Sequence, residues 1–257
     1  MGFQQVDTGT MITRAFILLS LSLFLLACAS NSDKEDITAG WSVEQLYRSA
    51  KGEMADGNYL TAIEQYEILE SRYPFGKYAT QAQIDVGYAY YKYDELEPAI
   101  AAVDRFIKLN PRHEAVDYAY YLKGVINFQR GKSFLDKINE RDMADYDKSI
   151  LLAASNNFQI LLRRFPHSKY AADSQKRLIY LYDKLANADL KVAQYYASRD
   201  AWIAAANRTK AILQTYPGTS AIKPALEIQL AAYQNLGLEE LATDTQRIID
   251  LNYGDGS

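Results

Sequence analysis

Four times along this chain a proline falls inside a short corner of one type. The corners are Arg72-Tyr73-Pro74-Phe75-Gly76-Lys77-Tyr78-Ala79, Leu109-Asn110-Pro111-Arg112-His113, Arg164-Phe165-Pro166-His167-Ser168-Lys169-Tyr170-Ala171 and Thr215-Tyr216-Pro217-Gly218-Thr219-Ser220. Proline has no amide hydrogen with which to continue a helix, and it pushes the residue before it towards extended angles, so each corner must stop a helix. Ahead of each corner, small and apolar residues recur at helical spacing: Ala62, Tyr66 and Leu69; Ala99, Val103 and Phe106; Ala154, Phe158 and Leu161; Ala205, Thr209 and Ile212. Turns such as Asp56-Gly57-Asn58-Tyr59 and Tyr93-Asp94-Glu95-Leu96 precede those segments, and strand signals are absent. A chain punctuated in this way is confined to helix pairs joined in series.

The pattern resembles the tetratricopeptide repeat, a helix–turn–helix unit of about 34 residues, and it covers the chain from about Val43 to Leu251. The expected fold is therefore all-α, a superhelix of about five helix pairs. In the second unit Gly87 and Tyr90 take the packing positions, Asp94 the turn, Ala99 the helix crossing and Pro111 the end. Ala99 has a physical reason to be small, because two helix backbones approach closely there. Pro74 to Pro111 is 37 residues, whereas Pro111 to Pro166 is 55 and Pro166 to Pro217 is 51. The third unit's excess falls around Lys132–Lys148 and reads as a long polar loop with room for a helical turn. In the fourth, no Gly or Pro interrupts Lys169 to Arg199, so its first helix extends on the order of 45 Å at 1.5 Å per residue, unless it breaks near Ala186-Asn187. A fifth pair, Ala221–Leu236 and Leu238–Leu251, turns at Gly237 and lacks the closing proline, as a terminal cap does.

The only cysteine, Cys28, ends the apolar run 15–27, which Arg14 precedes and a polar stretch follows. That order is a secretory signal, and the run is too short for a bilayer, which takes about 20 apolar residues. Leu25-Leu26-Ala27-Cys28 resembles the bacterial lipobox, in which the signal is cut before the cysteine and the cysteine is lipidated. Several acyl chains there make a lasting anchor where one is marginal. The alternative is a buried free thiol behind an ordinary cleavage site. Ala29, rather than an aspartate, follows the cysteine, which by that resemblance directs the protein to the outer membrane, facing the periplasm. Asp7 is out of place in a basic leader, and Met11 followed by Arg14 makes the cleaner start. The organisation expected is a signal peptide over 1–27, a lipidated N-terminus and flexible linker over 28–42, repeats 1–2 and the first helix of repeat 3 over 43–130, an insertion and second helix over 131–168, repeats 4–5 over 169–251 and a disordered tail over 252–257.

Several chemistries are set aside. The net charge of −4 argues against nucleic acid as a partner, which would call for a basic face. His113 and His167 stand far apart with no second cysteine, so a protein-built zinc site is not expected, nor is any cofactor. Gly131-Lys132-Ser133 mimics the end of a phosphate loop, but the required glycine five residues earlier is Ile126 and a helix precedes it. No nucleophile elbow or histidine triad can be assembled, and pairs such as Glu239 and Glu240 are ordinary on a solvated helix. Nothing argues for an enzyme.

Tyrosine is the outlier of the composition, with 21 residues. In the repeat, positions 2, 5, 9 and 12 of the first helix face a concave groove. They map to Glu44, Tyr47, Lys51 and Met54, then Gln81, Ile84, Tyr88 and Tyr91, then Tyr118, Tyr121, Val125 and Phe128. Tyr47, Tyr88, Tyr91, Tyr118, Tyr121 and Phe128 thus form a candidate peptide surface, since tyrosine gives area at low entropic cost and keeps a hydroxyl. The competing view is that these rings merely pack between helices.

A lipobox, a short polar linker and five such repeats, together with the corners Arg-Tyr-Pro-Phe-Gly-x-Tyr and Arg-Phe-Pro-x-Ser-x-Tyr, resemble the BamD (ComL-like) lipoprotein family of the β-barrel assembly machinery. The stretches Asp104-Arg105-Phe106-Ile107-Lys108-Leu109-Asn110-Pro111 and Val192-Ala193-Gln194-Tyr195-Tyr196-Ala197-Ser198-Arg199, with Ala201-Trp202, fit as well. The resemblance implies a non-catalytic scaffold that assists folding and insertion of outer-membrane β-barrel proteins. Its implied partners are unfolded outer-membrane proteins at the N-terminal repeats, and the periplasmic domains of the barrel-forming component and sibling lipoproteins at the C-terminal repeats. Arg199, in the Tyr-Tyr-x-x-Arg stretch, is the docking residue it implies; the plainer role is a helix-end arginine balancing the macrodipole. Another periplasmic repeat scaffold, of the pilus-assembly or Tol–Pal-associated kind, is the alternative. An envelope enzyme would need a second domain for which the repeats leave no room.

Overall fold

A computed structural model describes residues 36–135 and 148–254. The expected signal peptide, Cys28, most of the expected linker and much of the expected insertion therefore lie outside the described residues. The chain divides into two units, 1–41 and 42–257. In the first, Asp36 Oδ1 accepts from the amide of Thr38 at 2.9 Å and its hydroxyl at 2.6 Å, and the amide of Trp41 donates to Thr38 O. The end of the stretch expected as a flexible linker, from Asp36 to Trp41, thus forms a hydrogen-bonded turn, because an aspartate can mimic the backbone two residues on.

The second unit holds ten helices among the described residues: α1 Val43–Asp56, α2 Tyr59–Arg72, α3 Lys77–Lys92, α4 Leu96–Leu109, α5 Val116–Leu135, α6 Ser149–Arg164, α7 Ala171–Ala197, α8 Trp202–Thr215, α9 Ile222–Asn235 and α10 Glu239–Tyr253. They form five antiparallel pairs of the tetratricopeptide type. Ser42 opens the first with a capping box, its hydroxyl taking the Gln45 amide while the Gln45 side chain takes the Ser42 amide.

Two local devices repeat. At the corners the residue before each proline, Tyr73, Asn110, Phe165 and Tyr216, sits at φ between −125° and −134° and donates its amide back to the helix, at Leu69, Phe106, Leu161 and Ile212. At the opposite end, the turns of pairs one, two, four and five put one residue in the left-handed region: Gly57 (φ 82°), Asp94 (68°), Asp200 (55°) and Gly237 (68°). In each turn the next amide reaches back five residues to a helix carbonyl, as Asn58 N does to Glu53 O, which is the Schellman closure. Glycine reaches that conformation freely and aspartate tolerates it.

All twelve periodic positions ahead of the corners, from Ala62 to Ile212, are fully buried. First helices touch along the series, α1 with α3, α3 with α5, α5 with α7 and α7 with α9, whereas among the described residues no two second helices touch. The stack therefore bends with the first helices on its inner side.

Two expected boundaries change, and the long first helix of the fourth pair is found as expected. Gly131 does not end the third pair's first helix: α5 runs on to Leu135. Its glycine is a packing choice, since a Cβ there would lie 2.6 Å from Leu151 Cδ2. α7 is unbroken for 27 residues, about 40 Å at 1.5 Å per residue. Asn187 stays helical by bonding Asp183 O at 2.8 Å and Ser220 Oγ at 2.9 Å. The last helix takes in Asn252 and Tyr253 of the expected tail, held by the bond from Asn252 to Ile248 O and by Lys223 over the Tyr253 ring.

Candidate functional site

Along the inner side, α1, α3, α5 and α7 carry rings and charges that bond across helix boundaries. The Tyr47 ring on α1 lies 6.2 Å from Tyr66 and 5.2 Å from Tyr78. Its hydroxyl donates to Asp85 Oδ2 on α3 at 2.9 Å. Asp85 is buried, accepts from Gln81 Nε2 at 3.0 Å, and has the Lys51 ammonium at 3.6 Å. Burial first, then the Asp85 carboxylate, push the Tyr47 and Tyr66 hydroxyl pKa values up, so both rings stay neutral, with Tyr47 donating to Asp85. Tyr47 is a strut between α1 and α3 as much as a groove wall.

On α3, Tyr88 and Tyr91 stand with ring centroids 6.1 Å apart. On α5, Tyr118 lies 5.4 Å from Tyr170, and Tyr121 stacks on the same ring at 4.6 Å and 16°. The Tyr121 hydroxyl donates to Asp173 Oδ2 at 2.8 Å, and Arg177 Nε donates to the same oxygen at 2.6 Å. The Arg177 guanidinium also sits 4.9 Å over the Phe128 ring, whose other neighbours are Tyr180 at 5.6 Å and Phe158 at 6.4 Å. Burial raises the Tyr118 pKa, and the nearby Tyr88, Tyr170 and Asp85 add to it. Partial burial opposes ionisation of Asp173, but the hydrogen bonds from Arg177 and Tyr121 hold its carboxyl below the usual range.

All six ring residues expected in the groove are half-buried, and the five on α3 and α5 form the run Tyr88, Tyr91, Tyr118, Tyr121, Phe128. Ile84 and Val125 are corrections: both are buried in the core, because the first helix turns those positions towards its own partner. The sequence reasoning missed Asp85, Asp173, Arg177 and Tyr180, and also Tyr78 and Tyr170. The last two carry a signal that was available. Each ends a corner as Lys-Tyr, the lysine rests over the ring at 4.8 and 5.1 Å, and the ring leans on a tyrosine of the preceding first helix.

Arg199 lies just past the end of α7, exposed, with its guanidinium 4.7 Å from the Tyr195 ring. Among the described residues it makes no ion pair. Further along, α10 shows Leu241, Ile248 and Leu251 to solvent. A shallow cavity of about 420 Å³ is lined by Leu230, Gln234, Ala242, Thr243, Gln246, Arg247 and Asp250. No helix among the described residues is long and apolar enough to cross a membrane.

Residues 41–248 match the model of the YfiO family, described as an outer membrane lipoprotein. The chain is 44% identical over 243 residues to the outer membrane protein assembly factor BamD of Neisseria meningitidis, covering 93% of this chain and 91% of that one. It is 43% identical over 235 residues to the assembly factor of the same name from Vibrio cholerae, covering 91% and 96%. With that from Xylella fastidiosa the identity is 34% over 243 residues, covering 95% and 83%.

Proposed function

The chain belongs to the YfiO family of outer membrane lipoproteins, and from that premise we propose that it is a lipid-anchored scaffold of the outer-membrane β-barrel assembly complex. It acts at the periplasmic face, anchored through Cys28, and works by binding rather than by catalysis. Its inner aromatic surface receives unfolded barrel proteins, and its C-terminal repeats dock the periplasmic domains of the barrel-forming component and sibling lipoproteins. The observation that carries this reading is the run Tyr88, Tyr91, Tyr118, Tyr121 and Phe128 on touching helices. In an extended peptide, side chains on one face recur every ~6.6 Å, close to the 6.1 Å between the Tyr88 and Tyr91 rings. An unfolded barrel strand presents aromatic side chains at that interval, and the tyrosine hydroxyls give its backbone hydrogen bonds.

Docking falls to Arg199, whose guanidinium is held by a ring and has no carboxylate partner among the described residues. Truncating one side of a buried, hydrogen-bonded charge pair at an interface costs about 2–5 kcal/mol, so Arg199→Glu should weaken binding of the barrel component while helical content and peptide binding persist. The direct test of the groove is titration with a peptide from the C-terminal strand of a barrel protein. Tyr88→Ala with Tyr91→Ala should weaken it about tenfold or more while the helical content persists, beyond the loss in a control that truncates an equally buried ring outside the groove. Unchanged affinity would overturn the placement. Cys28→Ser should release the protein from the membrane fraction, and an unmodified mature Cys28 in intact-mass analysis would end the anchor reading.

A further inference from the structure

Phe75, at 89% exposure, is the most exposed large apolar side chain among the described residues. It sits at the tip of the first corner, one residue after the proline. The same position is Arg112, His167 and Gly218 in the other corners, so the fold does not require a ring there. The tip is also rigid. Pro74 fixes the backbone before it, Gly76 turns the chain at φ 101°, and Gly76 O takes the amide and hydroxyl of Thr80 at 3.0 and 3.3 Å. A Cβ built on Gly76 would meet nothing within 4 Å, so the corner stands clear of the body.

Charge sorts by edge. The corners 71–78, 108–115 and 163–170 contain seven Lys and Arg residues and one acid, Glu114, whereas the turns 56–59, 92–97, 198–202 and 236–240 contain seven acids and two bases. Corners and turns lie at opposite ends of antiparallel helices, so a chain of net charge −4 carries a basic rim opposite an acidic one. The exposed cations Lys77, Lys108, Arg112, Arg163 and Lys169 make no ion pair among the described residues. The start of α1 belongs to the basic rim, since Tyr47 packs on Tyr78 at the start of α3. The fourteen residue steps from Cys28 to Ser42 reach at most about 50 Å when fully extended.

We propose that the first corner is a membrane-interface wedge: Phe75 enters the headgroup layer of an anionic phospholipid surface, and the basic corners lie along that surface. Interfacial anchors combine exposed rings with lysine and arginine, and each basic residue near an anionic leaflet adds attraction that falls off within a screening length. Its orientation rests on the reading of Cys28 as the membrane tether.

The test couples the mature chain through Cys28, its only thiol, to a maleimide lipid in vesicles of three parts phosphatidylethanolamine to one part phosphatidylglycerol. The photoprobe p-benzoylphenylalanine replaces either Phe75 or, on the acidic rim, Glu95. Several-fold more lipid adduct is expected from position 75 than from 95. The excess should shrink with Lys77→Glu, in neutral phosphatidylcholine vesicles, and in salt of about 0.5 M, where the screening length is only a few Å. Equal yields at the two positions, or adducts from position 75 to protein alone, would overturn the wedge. Because the tether is made chemically, an unlipidated Cys28 in the native protein would sink the anchor reading and leave this result standing.

Discussion

From α1 to the first half of α7 the inner helices are joined by rings whose hydroxyls reach carboxylates, as Tyr47 does Asp85 and Tyr121 does Asp173. From the second half of α7 to α10 alanine and threonine take over: Ala186, Ala193, Ala205, Thr209, Ala225, Ala232 and Thr245 are buried, while Leu241, Ile248 and Leu251 face outward. Both regions share the corners, the left-handed turns and the small crossing residues. The difference shows that the repeat supplies backbone spacing alone. An aromatic, hydrogen-bonded face and an aliphatic one are two dressings of one frame.

The largest expected effects test the shared frame. Phe158→Ala removes a fully buried ring from the α5–α6 contact and should cost about 3–5 kcal/mol, against about 2–5 kcal/mol for Ile212→Ala in the alanine-rich region, both read by denaturant midpoint. Gly124 packs flat on that ring, where a Cβ would lie 2.6 Å from Phe158 Cε1. Gly124→Ala should therefore destabilise the parent and cost little in the Phe158→Ala background. Additive effects would show that the ring does not set the spacing.

Next come the crossings. Ala62→Leu, Ala99→Leu and Ala205→Leu each overpack a fully buried position and should cost about 1–3 kcal/mol. Similar penalties in both regions support a common frame, and a silent Ala205→Leu would mean that the C-terminal pairs are looser.

Smaller effects sharpen the contrast in polar groups. The folded state holds Asp173 below the ordinary carboxylate range, so its contribution is present above that range and is lost as pH falls through the folded value. Tyr121→Phe should reduce stability at neutral pH by about 1 kcal/mol and make the acid limb of the stability curve shallower. Glu70 is opposite in sign. Burial raises its pKa against the pull of Arg105 at 2.7 Å, so its contribution is present at low pH and is lost as pH rises through the folded value. Glu70→Gln should flatten that rise-dependent loss, the smallest change of the set, measurable in melts from acid to neutral pH.

The frame was legible because its signals are local. A proline, the extended residue before it and an alanine at helical spacing carry their meaning without neighbours, and all twelve periodic positions proved buried. Gly131 misled because glycine marks both helix ends and close contacts, and only Leu151 on α6 distinguishes them. The tyrosines of the inner face could be placed by repeat position. Asp85, Asp173 and Arg177 could not, because a charged residue on a helix reads as solvated until its cross-helix partner is known. The left-handed turns were evident at Gly57 and Gly237, whereas at Asp200 the conformation is imposed by the helix end it closes.

Hydrogen exchange on the whole protein, with and without a C-terminal peptide from an outer-membrane barrel protein, tests the division between the two regions most directly. Binding should slow exchange in α3, α5 and the first half of α7, around Tyr88, Tyr121 and Asp173, and leave α9 and α10 unchanged. Protection confined to α8–α10, with the aromatic helices exchanging as in the free protein, would contradict it.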